Sequence, residues 1–173
     1  MGTLIVFASV EGHTKKIAGF VEKSVRRTGQ PVRLIDASDA DLSVNFDDAE
    51  RVILAASVHR LRHPKEFEKF IKSHRQELID RPTLLLSVSL CAGFPEGVPE
   101  AQSYVEDLTD RVGFVPNRDL LVGGALQFHK YREDEAWIVR FISRGLNPGG
   151  DVGADRELTN WDAIKEAVDD FVE

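Results

Sequence analysis

Short apolar runs alternate with amphipathic helical stretches along this chain, and that alternation constrains the fold more than any other feature. Thr3–Ala8, Val32–Ile35, Arg51–Ala56, Thr83–Leu90 and Leu120–Leu126 are each short and rich in Val, Ile or Leu. Such runs suit strands covered on both faces, because a strand with one wet face alternates polar with apolar residues instead. Between them, apolar residues recur near the 3.6 period: Ile17, Val21 and Val25; then Phe67, Phe70, Ile71 and Leu78; then Ala101, Tyr104, Val105, Leu108 and Val112. Each set marks a helix with one buried stripe. Pro64 and Pro99 suit first helical turns, where a missing N–H costs nothing. Asn160 suits the N-cap of a last helix carrying Trp161, Ile164, Val168 and Phe171 on one stripe. The pattern predicts an α/β fold with a five-stranded parallel sheet and helices on both faces. Asp39–Glu50 has a weak helical signal, with only Leu42, Val44 and Phe46 as apolar anchors, so a loop or short helix is expected there.

A chain of 173 residues suits one domain spanning 1–173, since two sizeable cores need more length. Its 42% hydrophobic and 29% charged residues are globular usage, far from the composition of disordered chains. A net charge of −7 argues against a nucleic-acid partner, which calls for clustered Lys and Arg to displace counterions. The single cysteine, Cys91, forms no intrachain disulfide and too small a ligand set for a Cys-based zinc site, in keeping with a reducing cytoplasm. The N-terminus reads as a strand and not as a signal peptide, and no run nears the 18 apolar residues of a membrane span. Peripheral contact with the inner face of a membrane stays open.

One segment breaks the rhythm. About residues 127–158 separate the fifth strand from the last helix, far more than a strand-to-helix connection requires. Trp137, Ile138, Phe141 and Ile142 have helical spacing, and Asn147-Pro148-Gly149-Gly150-Asp151 is turn chemistry. An insert with a helical part is expected.

The first strand runs directly into Ser9-Val10-Glu11-Gly12-His13-Thr14, and a helix follows at once. Hydroxyls at both ends, a glycine and the N–H groups of a helix start make a cradle for an anion. The spacing is neither G-x-G-x-x-G nor G-x-x-x-x-G-K-[ST], which favours a monophosphate over a dinucleotide or a nucleoside triphosphate. An ordinary turn, with Thr14 or Ser9 capping the helix, fits the same residues, so both readings stand at this point. In a doubly wound sheet ligands sit outside the carboxyl ends of the strands at the switch point. Two further loops should converge there: Ser57-Val58-His59-Arg60-Leu61-Arg62-His63 and Ser89-Leu90-Cys91-Ala92-Gly93-Phe94.

The hexapeptide Ser9–Thr14 resembles the phosphate signature of flavodoxins, whose doubly wound sheets are known to run in the order 2-1-3-4-5. A closer resemblance covers nearly the whole chain, to the flavodoxin-type, menaquinone-dependent protoporphyrinogen dehydrogenases of haem biosynthesis. It is carried by Phe7–Thr14, Ala55–Val58 with Phe67–Phe70, Ser87–Leu90, Gly124–Leu126, Tyr131-Arg132 and Thr159–Trp161. The resemblance implies a flavodoxin-like fold and flavin mononucleotide as cofactor, with Ser9, Gly12, His13 and Thr14 on its phosphate. The remaining loop residues, Val10, Glu11, Ser57, Val58, His59, Arg60, Ser89, Leu90, Cys91, Ala92, Gly93 and Phe94, would line the cofactor site. It also implies a porphyrinogen substrate and a quinone acceptor, and makes residues 127–158 the family's insert. The acidic stretch Arg132-Glu133-Asp134-Glu135 departs from that family's basic, apolar insert. A flavodoxin-like carrier that passes electrons between protein partners is the alternative reading.

Glu11 would repel a phosphate and is expected to point to solvent. His59, Arg60, Arg62 and His63 form the densest basic cluster, at the expected mouth of the site, able to steer carboxylates or to be an incidental solvated loop. Cys91 reads as a small packing residue and not as a nucleophile. Tyr131 and Arg132 are assigned to the substrate, Arg132 opposite a carboxylate such as a propionate. No metal-ligand or Ser-His-Asp constellation stands out, and no residue is assigned as catalytic.

Overall fold

In the computed structural model, residues 1–39, 41–126 and 156–173 are described, except for the side chains of Leu126 and Arg156. Strand β1, Gly2–Ala8, is buried along its whole length. Its alternate residues face opposite ways, as the two-residue period of a strand requires. Leu4, Val6 and Ala8 join one core with Val52, Leu54 and Leu85, while Ile5 and Phe7 join the other with Ile53, Leu84 and Leu86. A strand placed between two apolar layers has no use for polar alternation, which is why the sequence shows none.

Strands β2 (Val32–Asp36), β3 (Ala49–Ser57), β4 (Thr83–Ser89) and β5 (Arg118–Gly123) complete an all-parallel sheet in the order β2-β1-β3-β4-β5. Helices α1 (His13–Arg27) and α5 (Trp161–Val172) cover one face. Ile17, Val21 and Val25 of α1 meet Ile164, Val168 and Phe171 of α5 over Ile5 and Phe7. Helices α2 (Lys65–Ser73), α3 (Arg75–Ile79) and α4 (Val98–Val112) cover the other, where Phe67, Phe70 and Ile71 pack with Val105 and Leu108. Each fully buried Leu, Ile or Phe in these layers contributes about 1.5–3 kcal/mol. The chain leaves β1 toward β2 and then crosses to β3 on the other side, so the crevice of the switch point opens at the carboxyl ends of β1 and β3.

The Asn160 carboxamide oxygen accepts the Ala163 N–H at 3.0 Å, the expected N-cap of α5. Pro99 lies in the first turn of α4 as expected, whereas Pro64 sits one place outside α2 as its N-cap. The helix expected from Phe67 to Leu78 is two helices. His74 interrupts it at φ −119°, with its ring against Phe46 and Phe70 and its Nδ1 3.0 Å from the Phe70 carbonyl. Of the segment Asp39–Glu50, Asp41–Asp48 is loop leading into β3, anchored by buried Phe46 with Leu42 and Val44 packed against the same core.

The strand expected over Leu120–Leu126 is also divided. Gly124 leaves the sheet, donating its N–H to Ser89 and accepting the Leu158 N–H on its carbonyl. Strand β6 (Ala125–Leu126) then pairs antiparallel with β7 (Arg156–Glu157), Ala125 opposite Glu157 and Leu126 opposite Arg156. The helical stripe Trp137, Ile138, Phe141 and Ile142, the turn Asn147–Asp151, and Tyr131 and Arg132 lie outside the described residues. Among the described residues, no helix is long and apolar enough to cross a membrane.

Candidate functional site

The loops leaving β1, β3 and β4 converge, as expected of a switch point, on a solvent-open cleft with about 740 Å³ of empty space. Ser9, Val10, Glu11, His13 and Thr14 line one wall. Gly12 makes the bend into α1: it is the N-cap at φ +92°, left-handed backbone that glycine adopts without a Cβ penalty, and its N–H donates to the Ser9 hydroxyl at 2.9 Å. The helix has no side-chain cap. Its first N–H groups lack intrahelical partners by construction and carry the positive end of the helix dipole. Thr14 is buried, and its hydroxyl has no partner among the described residues. The capped-turn reading of Thr14 therefore fails: a cap would have spent that oxygen on the backbone.

The His13 ring turns from the loop toward the far end of the chain, its Nε2 2.7 Å from Thr159 Oγ1. Burial holds its pKa below the usual histidine range, with Glu157 opposing and Lys16 adding to the shift. Glu11, expected in solvent, is half-buried and lines the cleft.

The second wall carries Ser57, Val58, His59 and Arg60, and also Leu61. The Ser57 hydroxyl is a second buried group without a partner among the described residues. His59 and Arg62 exchange both backbone bonds, at 2.9 and 3.1 Å, around a two-residue turn in which Arg60 and Leu61 have φ of +50° and +66°. Two positive φ values are the mark of a type I′ hairpin turn, ordinarily the place of Asn-Gly. For side chains with a Cβ, left-handed backbone costs about 1–2 kcal/mol per residue.

The expected basic cluster divides here. His59 and Arg60 face the cleft, whereas Arg62 grips Glu68 through Nε and Nη2 at 2.8 and 2.7 Å. Arg111 of α4 reaches the same carboxylate at 2.9 Å. Glu68 is 3% exposed, and hydrogen bonding from Arg62 leads the effects that hold its carboxyl below the usual range, against the opposing effect of burial. His63 is 1% exposed, with Nε2 2.9 Å from Ser87 Oγ and its ring stacked on Phe67. Burial above all, then the Arg111 charge, lowers its pKa to about 4.

The third wall begins as expected with Ser89 and Leu90, beside Val88. Cys91, Ala92, Gly93 and Phe94, also expected at the cofactor, lie off the cleft wall. A tight 3-10 turn over Cys91–Gly93 carries the chain inward, so that Cys91 is buried against Ala101 and Tyr104, with Ala92 and Phe94 packed beside them. Burial pushes the Cys91 thiol up, in keeping with its reading as a packing residue. Gly93 lies against Leu158: a Cβ there would sit 2.7 Å from that of Leu158.

Sequence reasoning missed Leu61, Val88, Tyr104, Gly124 and Ala125 on the cleft wall. Tyr104 belongs to an ordinary helical stripe, and nothing in its spacing tells a core phenol from one at a cleft. Its hydroxyl donates to Glu100 at 2.9 Å, and burial, followed by Cys91, pushes its pKa up so that it stays a neutral phenol. Among the described residues no His, Cys, Asp or Glu cluster could hold a metal ion.

A parallel sheet ordered β2-β1-β3-β4-β5, with an anion-ready helix start beside its switch point, defines a flavodoxin-like class of protein. The chain belongs to the flavodoxin-domain family, whose model matches residues 4–149. It is 25% identical to the protoporphyrinogen IX dehydrogenase [quinone] of Escherichia coli K12 over 167 residues, 95% of this chain and 91% of that one. The relative of the same name in Leishmania major is 24% identical over 172 residues, 97% of this chain and 73% of that one. Oxidised flavodoxin 1 from Bacillus cereus shares the fold at a TM-score of 0.50 and 16% identity, over 87% of this chain and 100% of that one.

Proposed function

We propose that the cleft binds flavin mononucleotide and that the protein is a flavin-dependent oxidoreductase, taking hydrogen from a porphyrinogen and passing it to a quinone. The observation that carries the cofactor assignment is the pair of buried hydroxyls, Thr14 and Ser57, that line the cleft with no partner among the described residues. A buried hydroxyl left without a hydrogen bond costs about 1–3 kcal/mol, a penalty that a bound ligand removes.

The residues present fit this group. The Ser9–Thr14 loop would hold the phosphate through the Thr14 hydroxyl and the first N–H groups of α1, where no side chain competes as a cap. Ser57–Arg60 and Ser89–Leu90 would bracket the ring system. Val10 and Leu61, from different loops and 51% and 49% exposed, would cover its apolar surface. The absence of a second phosphate fingerprint favours the mononucleotide over the adenine dinucleotide. Flavin supplies hydride and single-electron transfer when bound. Against it the protein supplies orientation, a wall of neutral donors that includes Ser89, and exclusion of water by the Val10 and Leu61 side chains. The porphyrinogen and the quinone rest on the names of the two relatives, aligned over nearly the whole chain.

The test is the absorption spectrum of the purified protein, chromatography of the heat-released cofactor, and anaerobic porphyrinogen oxidation with a quinone as acceptor. Flavin mononucleotide and quinone-dependent turnover are expected. Adenine dinucleotide as the released species would overturn the cofactor assignment. Bound mononucleotide with no porphyrinogen turnover, but with single-electron exchange with a reductase, would replace the enzyme by a carrier.

A further inference from the structure

We infer that Glu68 is a positioning residue for the cleft: through Arg62 it holds the left-handed Arg60–Leu61 turn in the shape that meets the ligand. This inference rests on flavin mononucleotide as the occupant of the cleft. It begins from a conflict between sequence and conformation. Two consecutive residues with Cβ atoms occupy positive φ at a cleft wall, without the glycine or asparagine that makes such a turn inexpensive. Backbone of this kind persists only where its surroundings over-determine it.

Among the described residues, a chain of supports reaches the turn from the Arg62 side. Arg62 closes it with two backbone bonds to His59 and then commits its guanidinium, in a two-point grip, to the Glu68 carboxylate. Glu68 is itself fixed, buried on α2 and bonded from behind by Arg111 of α4. The next residue, His63, is locked on Ser87 of β4. The turn thus hangs from α2 and α4 by charge-assisted bonds, the stronger kind, and from the sheet by the neutral His63–Ser87 bond, while its tip faces the cleft. Neither Arg62 nor Glu68 lines the cleft, so their effect on a ligand is exerted through the turn.

The experiment measures flavin mononucleotide affinity, by quenching of flavin fluorescence, for wild type, Glu68→Gln and Arg62→Met. Each is also made with Leu61→Gly, since glycine holds φ near +66° without the Cβ penalty. Arg62→Met leaves Glu68 paired with Arg111, and so keeps the test available if Glu68→Gln does not fold. Arg62→Met should weaken binding about tenfold. In the Leu61→Gly background the same change should cost much less, and that recovery is a readout that a merely structural loss would not give. Wild-type affinity in Arg62→Met, or an equal loss with and without Leu61→Gly, would overturn the inference. A wild-type protein that binds no flavin mononucleotide overturns the functional reading first and this inference with it, so the wild-type titration tells the two failures apart.

Discussion

His13 in the first turn of α1 and Thr159 near the start of α5, 146 positions apart, meet ring nitrogen to hydroxyl at 2.7 Å. The Thr159 hydroxyl donates its one proton to the Gly123 carbonyl, also at 2.7 Å. The proton between His13 and Thr159 must then come from the ring, which fixes neutral His13 as the Nε2–H form. Nitrogen-15 correlation spectra should show that single tautomer, and Thr159→Val should turn it into a mixture. The same variant should cost about 1–3 kcal/mol in denaturant unfolding, because it strands the Gly123 carbonyl. A wild-type ring protonated on Nδ1 instead would contradict the arrangement.

Thr14→Val should separate ligand binding from folding. The hydroxyl it removes bonds nothing among the described residues, so apo stability should stay level or rise, while flavin affinity should fall by about 1.5–3 kcal/mol, the range for a hydrogen bond to a charged group. Gly12→Val should weaken binding by another route. A Cβ at Gly12 meets nothing within 4 Å, so the penalty comes from backbone at φ +92° and not from crowding. Paired calorimetric unfolding and flavin titration check both; wild-type affinity in both variants would mean that the loop holds no phosphate.

Stability should fall as pH drops from 6.5 toward 4. His63 is buried neutral with its pKa lowered to about 4, so between those values the unfolded chain binds a proton that the folded chain refuses. The linkage contributes roughly 3 kcal/mol, fully present above pH 6.5 and lost on the way down. Glu68, which faces it, has a lowered carboxyl pKa, so its own contribution is lost only below the ordinary carboxyl value of 4.5. Urea midpoints across this range should slope in wild type and flatten between pH 6.5 and 4 in His63→Gln. An equal slope in both would assign the acid lability elsewhere.

Leu158 wedges between two glycines, and they should answer differently to alanine. A Cβ on Gly123 would run into the Leu158 carbonyl oxygen, which is backbone, whereas on Gly93 it would meet the Leu158 side chain. Gly123→Ala should cost about 1–3 kcal/mol, the ordinary range for overpacking, and Gly93→Ala less. Adding Leu158→Gly, which removes the Cβ that an alanine at position 93 would meet at 2.7 Å, should relieve the second and leave the first. Thermal melts of the four variants decide, and relief of both would mean that side-chain crowding alone is at work.

The layered fold was legible because doubly buried strands and one-sided helices write different periods into a chain. Leu4, Ile5, Val6 and Phe7 read as one run since both faces of β1 are covered, and Ile17, Val21 and Val25 read as a stripe since one face of α1 is. The loop Ser9–Thr14 was legible as a lining of the cleft because it follows β1 directly at the switch point, and Ser9, Val10, Glu11, His13 and Thr14 do line it. Other features leave no local trace. The left-handed turn at Arg60–Leu61 lacks the glycine that would announce it, and Glu68 looks like any helix carboxylate until Arg62 and Arg111 close on it. The division at Gly124 is made by Ser89 and Leu158, which are remote in sequence. Cys91 and Phe94 turn inward because a 3-10 turn follows β4, and Tyr104 reaches the cleft because its helix stands where it does.

The β6–β7 ladder has a consequence for how this chain can vary. Antiparallel pairing brings the chain entering residues 127–155 and the chain leaving them to within about 5.5 Å of each other. Whatever occupies that interval starts and ends at nearly one point, and the sheet need not shift to accommodate a longer or shorter one. Loop-closure cost grows only with the logarithm of length, about 0.6 kcal/mol per doubling. The fold therefore offers a socket beside the cleft in which segments of very different size can be exchanged, leaving the strands and the Ser9–Thr14 loop untouched.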